Sequence, residues 1–342
     1  MGLLRETCNR APRTPDGVTS AKAVRMTPVV SIVMPCFNSA RTIRASMASA
    51  LGQTLRDIEL IVVDNGSSDQ TVSIAEAIRD PRTRTLRQPV RGVSAARNMG
   101  IDAARGEFIA FLDSDDTWAP ECLATLQAAL AGRPDAVLAY CGWQNVGLPG
   151  ARSEPFVPPD YERQDKIATL LAECRWPIHA TLTRTRAIRD AGGFDTRFAY
   201  AEDLDLWLRV AAFARIVRVP DVLAFYHHHS GPRATGDTVR AAVQLLAVQR
   251  KFLSEFPTVR KKLGRGTVRD MLEGALLHRG MQSYWARDLK SAHAIFRVVL
   301  KSGYLKISAL PYLLPALLPR RAFSALVSSL DRARRGRAPT GI

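Results

Sequence analysis

The stretch FLDSDDTW, residues 111–118, places Asp113, Asp115 and Asp116 in one short turn directly after an apolar run that reads as a buried strand. Like charges this close raise one another's pKa, so the turn needs water, a cation or a polar partner to compensate them. A bound divalent cation is one answer and solvated turn chemistry is the other. A second carboxylate, Asp64, closes the apolar run IELIVVD and is followed by NGSSD. At a strand end such a group can accept hydrogen bonds from a base or ribose, while Ser67, Ser68 or Asp69 would cap the next helix. A third pair, Glu202 and Asp203, opens AEDLDLWLR. A desolvated carboxylate with an acidic neighbour can act as a general base, and the same charges at a helix start are favoured by the macrodipole. The run YHHHSG offers His227, His228 and His229, but adjacent residues on a strand point to opposite faces and cannot all ligate one ion.

These groups need elements to hold them. From residue 29, apolar runs alternate with helical periods: VVSIVMP, a helix over 40–51, IELIVVD, a helix over 69–79, RTRTLRQ, a helix in VSAARNMGIDAA, and EFIAFLD. Such alternation predicts an α/β fold with right-handed crossovers and a mainly parallel sheet covered on both faces. Ligands in these sheets sit beyond the carboxyl ends of the strands, here CFN at 36–38, DNGSSD at 64–69 and DSDD at 113–116, so the three clusters converge on one edge. No GxGxxG and no GxxxxGK[ST] follows the first strand, which excludes a dinucleotide fingerprint and a phosphate loop. Residues 120–200 mix helices, strands and Pro-rich loops. AGGFD then turns into a helix with Leu204, Trp207, Leu208 and Ala211 on one face, and IVRVPDVLAFYHHHSG reads as two short strands. Beyond 236 the chain is helical, with apolar faces in 239–256, 267–285 and 289–301. The expected organisation is an N-terminal tail over 1–27, an α/β domain over 28–235, and a helical C-terminal region over 236–342.

Composition narrows the partners. Of 342 residues, 46% are hydrophobic, enough for a substantial core. Lysine and arginine number 48 against 32 acidic residues, a net charge of +16, which calls for an acidic partner. No RNP-like aromatic motif, finger or basic-zipper pattern is present, so nucleic acid is not the expected partner. Five cysteines at 8, 36, 122, 141 and 174 form no CxxC pair, as for reduced thiols in a cytoplasmic protein. The first residues lack the continuous apolar h-region of a secretory signal. The longest apolar candidate for a span, ISALPYLLPALLP, is short and broken by Pro311, Pro315 and Pro319. After it, RRAFSALVSSLDRARRGR puts Phe323, Leu326, Val327 and Leu330 on one helical stripe flanked by arginines. A basic amphipathic helix of this kind either lies on an anionic membrane, as in a protein peripheral to the inner face of the cell membrane, or packs on the C-terminal region.

VVSIVMPCFN, IELIVVDNGSSDQT, GVSAARNMGIDAARGEFIAFLDSDDTWAP, and AGGFD followed by AEDLDLWLR resemble, in order and spacing, the inverting glycosyltransferases of family 2. The resemblance covers roughly residues 28–230. It implies a GT-A-type fold, a nucleotide-sugar donor of the UDP-sugar class, a glycan or lipid-linked acceptor, and Mg²⁺ or Mn²⁺ as cofactor. It assigns Asp64 to the nucleotide base, with Pro35 and Asn38 shaping that pocket, Asp113 and Ser114 to the donor nucleotide, Asp115 to the metal, and Asp203 to the catalytic base. Arg97, matching the family's ARN, is favoured over Arg91 for donor contact, and Asn98 is expected to support the acidic turn. His229 takes the position of a family histidine near the diphosphate or metal, while His227 replaces an arginine. Asp116 is expected to cap the turn before Pro120, Glu202 to be helix charge, and His179 to line the acceptor side or fill the core. Two other readings are a nucleotidyltransferase, which would need a Gly-rich basic loop that PCFNSARTIR lacks, and a non-catalytic basic module, against which the intact Asp64, Asp115 and Asp203 argue.

Overall fold

The computed structural model describes residues 27–89, 91–228 and 237–335, with side chains to 329. Eight strands form one mixed sheet: β1 (Val30–Cys36), β2 (Ile58–Asp64), β3 (Thr83–Arg87), β4 (Phe108–Phe111), β5 (Thr117–Trp118), β6 (Ala136–Val146), β7 (Thr181–Arg184) and β8 (Arg215–His227), ordered β3-β2-β1-β4-β7-β6-β8-β5. The first four run parallel, as the alternation predicts, and β7 inserts antiparallel between β4 and β6. Every residue of β1, β2 and β4 is buried. That is why these strands are near-continuous apolar runs rather than alternating ones: helices cover both faces. The covering helices are α1 (Ile43–Leu51), α2 (Thr71–Ala77), α3 (Val93–Ala103), α4 (Cys122–Ala131), α5 (Lys166–Ala172), α6 (Thr185–Asp190) and α7 (Glu202–Ala211).

One strand differs from the sequence reading. Residues 215–227 form the single strand β8, not two, and it pairs with β6 in parallel. Pro220 falls in the gap between the paired Arg218 and Val222, where the register slips opposite Tyr140 and Gly142. A proline cannot donate to the ladder, and a bulge lets the strand continue past it.

The C-terminal region comprises α8 (Thr238–Glu255), α9 (Pro257–Leu263), α10 (Arg265–Arg269), a π-helical turn at Asp270–Gly274, α11 (Ala275–Trp285), α12 (Leu289–Lys301), α13 (Leu310–Leu313) and α14 (Arg320–Arg335). It is joined to the sheet domain by polar ties. Lys251 on α8 donates to Asp205 on α7 at 2.6 Å and to Asp195 at 3.0 Å, Gln249 Nε2 donates to the Leu171 carbonyl at 2.7 Å, and Gln244 Oε1 accepts the amides of Ala199 and Tyr200. The stripe on α14 meets the core rather than a solvent face: Phe323 and Val327 are buried, with the Phe323 ring 5.1 Å from His293, while Leu326 is exposed and the side chain of Leu330 lies outside those described. Phe323 and Val327 are therefore not available for a membrane. Among the described residues no helix is long and apolar enough to cross one.

Candidate active site

The loops after β1, β2 and β4 are stitched together at the carboxyl edge of the sheet. Pro35 is buried near the end of β1, opposite Val63. Asn38 follows with φ of 49°, in the left-handed region that asparagine tolerates better than most residues. Its Oδ1 accepts the Ser68 amide at 2.9 Å and its own amide donates to Ser67 Oγ at 3.0 Å. Asp69 Oδ2 accepts the Ala40 amide, and Ser39 Oγ lies 2.7 Å from Ser114 Oγ in the acidic turn. Asp64 ends β2 almost fully buried, with Oδ1 accepting the Ser67 amide at 3.0 Å. The serines and Asp69 thus tie the loops together, and Asp69 Oδ1 also accepts the Thr71 amide at the start of α2, at 2.9 Å. Nearby, the Arg91 guanidinium sits 3.8 Å above the Phe37 ring.

Arg97 on α3 connects the acidic turn after β4 to α7. Its side chain is 4% exposed, with Nη2 donating to Asp113 Oδ1 and Nη1 to Glu202 Oε1, each at 2.8 Å. Burial alone would pull this charge off, but the two carboxylates outweigh it and hold the guanidinium pKa above its ordinary value. Arg97 thus faces two carboxylates rather than open solvent, and Glu202 is more than helix charge. Asp203 follows, its Oδ1 accepting the Leu204 amide at 2.8 Å. Burial pushes its carboxyl above the usual range, with the Asp113 charge adding to the rise and Arg97 opposing it. Ala201, just before this pair, has φ of 58°. A left-handed alanine has no side-chain compensation and persists only where the surroundings over-determine it.

The preceding turn sets where α7 begins. Asn98 exchanges two hydrogen bonds with the backbone of Phe194, 2.9 Å from Nδ2 to the carbonyl and 2.8 Å from the amide to Oδ1. It supports this turn rather than the acidic one, because on α3 it faces the segment leading to α7. Gly193, at φ of 68°, leaves room for that contact: a Cβ there would lie 2.7 Å from Asn98 Oδ1.

Asp116 is buried and reaches across to β8. Its Oδ1 accepts the His227 amide at 2.9 Å, and its Oδ2 lies 3.1 Å from His179 Nδ1. It does not cap the turn before Pro120, because its side chain points inward. His179 is fully buried, so it fills the core. His227 Nε2 lies 2.7 Å from Thr117 Oγ1 and His228 Nε2 lies 2.6 Å from Asn145 Oδ1, so the two histidines diverge as strand geometry requires. His229 lies outside the described residues. Asp115 is half-buried in the turn between Ser114 and Asp116. Among the described residues no group of three or more His, Cys, Asp or Glu forms a metal cage. The hard oxygens of Asp113 and Asp115 nevertheless fit Mg²⁺ or Mn²⁺, ions held by one or two carboxylates together with substrate phosphates and water.

Sequence reasoning gave no sign of the Arg97–Glu202 pair, whose partners stand 105 residues apart. It also missed Cys174, a half-buried thiol whose pKa is pushed up by burial and then by the charge of Asp203. A lone cysteine in a Pro-rich loop carries no periodic signal.

A family model described as glycosyl transferase family 2 matches residues 31–181. The chain is 31% identical over 235 residues to the O-antigen biosynthesis protein RfbC of Myxococcus xanthus, covering 66% of this chain and 18% of that protein. The chain spans 18%, 33% and 58% of the lengths of the first curated relatives it matches. The fold resembles that of S. aureus TarS 1-349 in complex with UDP-GlcNAc, with a TM-score of 0.56 at 18% identity over 89% of this chain and 92% of the other. It also resembles the mannosyltransferase PcManGT from Pyrobaculum calidifontis in complex with GDP-Man and Mn²⁺, with a TM-score of 0.53 at 22% identity over 91% and 87%. The mixed, mainly parallel sheet with its helical C-terminal region is thus of the GT-A type.

Proposed function

From the premise that the chain belongs to glycosyl transferase family 2 through residues 31–181, we propose that it moves a sugar from a nucleotide-sugar, with UDP-sugars as the first class to try, to a hydroxyl of a glycan or lipid-linked acceptor, inverting the anomeric carbon. The observation that carries this reading is the gathering of Asp64, Asp113, Asp115 and Asp203 around one edge, with Arg97 tying Asp113 to the helix that carries Asp203. Residues 28–235 are the catalytic unit in this reading, and the helical remainder braces α7 through Lys251.

Asp64 accepts hydrogen bonds from the nucleotide base, in a pocket shaped by Pro35 and Asn38, and Asp113 and Ser114 face the ribose. Asp115 would hold Mg²⁺ or Mn²⁺ together with donor diphosphate oxygens, and such an ion neutralises charge on the departing nucleoside diphosphate. Asp203 takes the proton of the acceptor hydroxyl through Oδ2, since Oδ1 is held by the Leu204 amide. Its raised pKa suits that transfer near neutrality. As the acceptor oxygen bonds to the anomeric carbon, the bond to the diphosphate oxygen breaks and its electron pair leaves with the nucleotide, so no covalent enzyme intermediate is needed. Arg97 positions both carboxylates and is not itself a contact of the sugar. Synthesis of a cell-surface polysaccharide or lipopolysaccharide, beside the inner face of a membrane, is the setting this chemistry suits.

The test is a panel of nucleotide-sugars assayed for binding and slow hydrolysis with Mg²⁺, Mn²⁺ or EDTA. We expect a subset of donors to bind and hydrolyse only with metal. No binding of any nucleotide-sugar with either metal would overturn the reading.

A further inference from the structure

Residues 305–318 form an apolar segment with two sides. Ala309, Leu313 and Ala316 are fully buried, while Ile307 is 86% exposed, Leu305 and Leu317 63%, and Leu314 53%. Pro311 and Pro315 start two short helical turns, one over Leu310–Leu313 and one over Leu314–Leu317, and these turns set the outward positions. Single exposed leucines are ordinary, but a contiguous group is not. Of the nine large apolar side chains exposed among the described residues, seven fall between Trp285 and Leu326. The charge around them is one-sided: residues 289–330 contain Lys290, Arg297, Lys301, Lys306, Arg320 and Arg321, and no aspartate or glutamate.

A second feature adjoins the segment. A cavity of about 450 Å³ is lined by Arg250, Arg260, Arg265 and Arg269 over the apolar Leu253 and Leu272. Arg250 is paired with Glu273 at 2.8 Å, the one carboxylate of the lining. Arg269 donates to the Gly303 carbonyl at 2.7 Å and lies over the Tyr304 ring, so the cavity wall abuts the residues that lead into Leu305. The Tyr304 hydroxyl donates to Asp270 Oδ1 at 2.7 Å, at the start of the π-helical turn. Arginines over an apolar floor, beside an apolar ridge with a basic rim, match a phosphate joined to an acyl chain.

We propose that the 305–318 ridge and the adjoining arginine cavity form a docking surface for an anionic lipid bilayer. The outward leucines and Ile307 enter the boundary between headgroups and acyl chains, and the arginines take lipid phosphates. This surface is distinct from the Phe323 and Val327 stripe, which belongs to the core. Its consequence, placing the enzyme beside a lipid-linked acceptor, rests on the transferase reading; the contact itself does not.

The full chain is mixed with vesicles of phosphatidylcholine alone or with phosphatidylglycerol, at low and high salt, and pelleted. We expect binding to the anionic vesicles only, weakened by salt. It should fall about tenfold or more in the triple variant Ile307→Glu/Leu314→Glu/Leu317→Glu, and also in Arg260→Glu/Arg265→Glu. These side chains are exposed, so thermal unfolding should be unchanged, and Ile307→Ser/Leu317→Ser supplies a milder variant if the triple one folds poorly. Absence of wild-type binding to anionic vesicles would overturn the proposal, as would a triple variant that binds like the wild type. It would equally fall if the wild type self-associates, the triple variant is monomeric and neither pellets, since the ridge would then belong to a second copy. Vesicle binding that persists when no nucleotide-sugar binds would support this surface and count against the transferase reading alone.

Discussion

Arg97→Met is the substitution that most directly probes how the site is held together. It keeps most of the side-chain volume and removes the cation bonded to both Asp113 and Glu202, each at 2.8 Å. Breaking a buried ion pair by removing one partner costs about 3–5 kcal/mol, because the other charge is left buried and uncompensated. Here two carboxylates are left, but Asp113 retains 28% exposure and water replaces part of the bond on that side. The lower end, about 3 kcal/mol, is therefore the expected loss, read from urea unfolding. A second effect falls on Asp203, the proposed base. Burial raises the Asp203 carboxyl and Arg97 opposes the rise, so losing Arg97 raises it further. As the proposed base, Asp203 works deprotonated, so the acidic limb of kcat/KM against pH should move up. The variant is then most impaired at low pH and recovers part of its deficit as pH rises. Arg97→Lys keeps the charge, but one ammonium cannot span both carboxylates, so it should restore the limb more than the stability. If Arg97→Met unfolds with the wild type and its profile does not move, the bridge has no role in the site.

Asp203→Asn should lower kcat by about 10²–10⁴ with donor binding little changed, measured by turnover and by calorimetric titration of the nucleotide-sugar; an equal loss of donor affinity would make Asp203 a binding residue. Asp115→Ala should abolish metal-dependent donor binding while leaving the unfolding curve in place, and normal turnover of this variant with EDTA present would refute the metal assignment. At the far end of the sheet, Glu59 accepts Ser31 Oγ at 2.6 Å and the Arg105 amide and guanidinium at 2.8 Å each. Burial pushes its carboxyl up, but these bonds and Arg84 outweigh it and hold the pKa below the ordinary value. Its stabilisation is therefore complete above the unfolded-state pKa and is lost as pH falls through the folded one. Glu59→Gln should cost about 2–4 kcal/mol at pH 7, and the gap to the wild type should narrow below about pH 4 in chemical denaturation. Phe323→Ala should cost about 3–5 kcal/mol, or release α14 to hydrogen exchange, without weakening vesicle binding.

The parallel half of the sheet was legible because its chemistry is local. Each strand is an unbroken apolar run ended by a polar cluster, and the rule that ligands sit beyond the carboxyl ends places Asn38, Asp64 and Asp113 together without coordinates. What could not be read were ties between distant residues of ambiguous type. Glu202 satisfies the helix dipole as well as it satisfies Arg97, and nothing in sequence separates the two. Asn98 lies in the same motif as Arg97, yet its side chain bonds to Phe194 because one step along α3 turns it toward the segment before α7. Residues 215–227 looked like two strands because proline normally ends one; a register slip opposite Tyr140 and Gly142 keeps it one.

The C-terminal hundred residues show why periodicity alone does not choose between core and membrane. Phe323, Leu326 and Val327 make the cleaner amphipathic stripe, yet burial of Phe323 and Val327 uses it up in packing. Residues 305–318 have no clean period, because Pro311 and Pro315 break the segment into turns that point apolar side chains both inward and outward. A stripe with one apolar face can be satisfied by the core alone, whereas a segment with two apolar sides leaves one of them facing water. The ridge is also not on a tether: Tyr312 packs against Tyr284 and Trp285 on α11, α11 and α12 pack on α8, and Lys251 on α8 holds Asp195 and also Asp205, on the helix that carries Asp203. A bilayer that takes the ridge would therefore fix the angle of the catalytic edge through packed helices. A linker would set only its distance. In the proposed transfer, where Asp203 would have to meet a hydroxyl presented from the membrane surface, that angle is the quantity that matters.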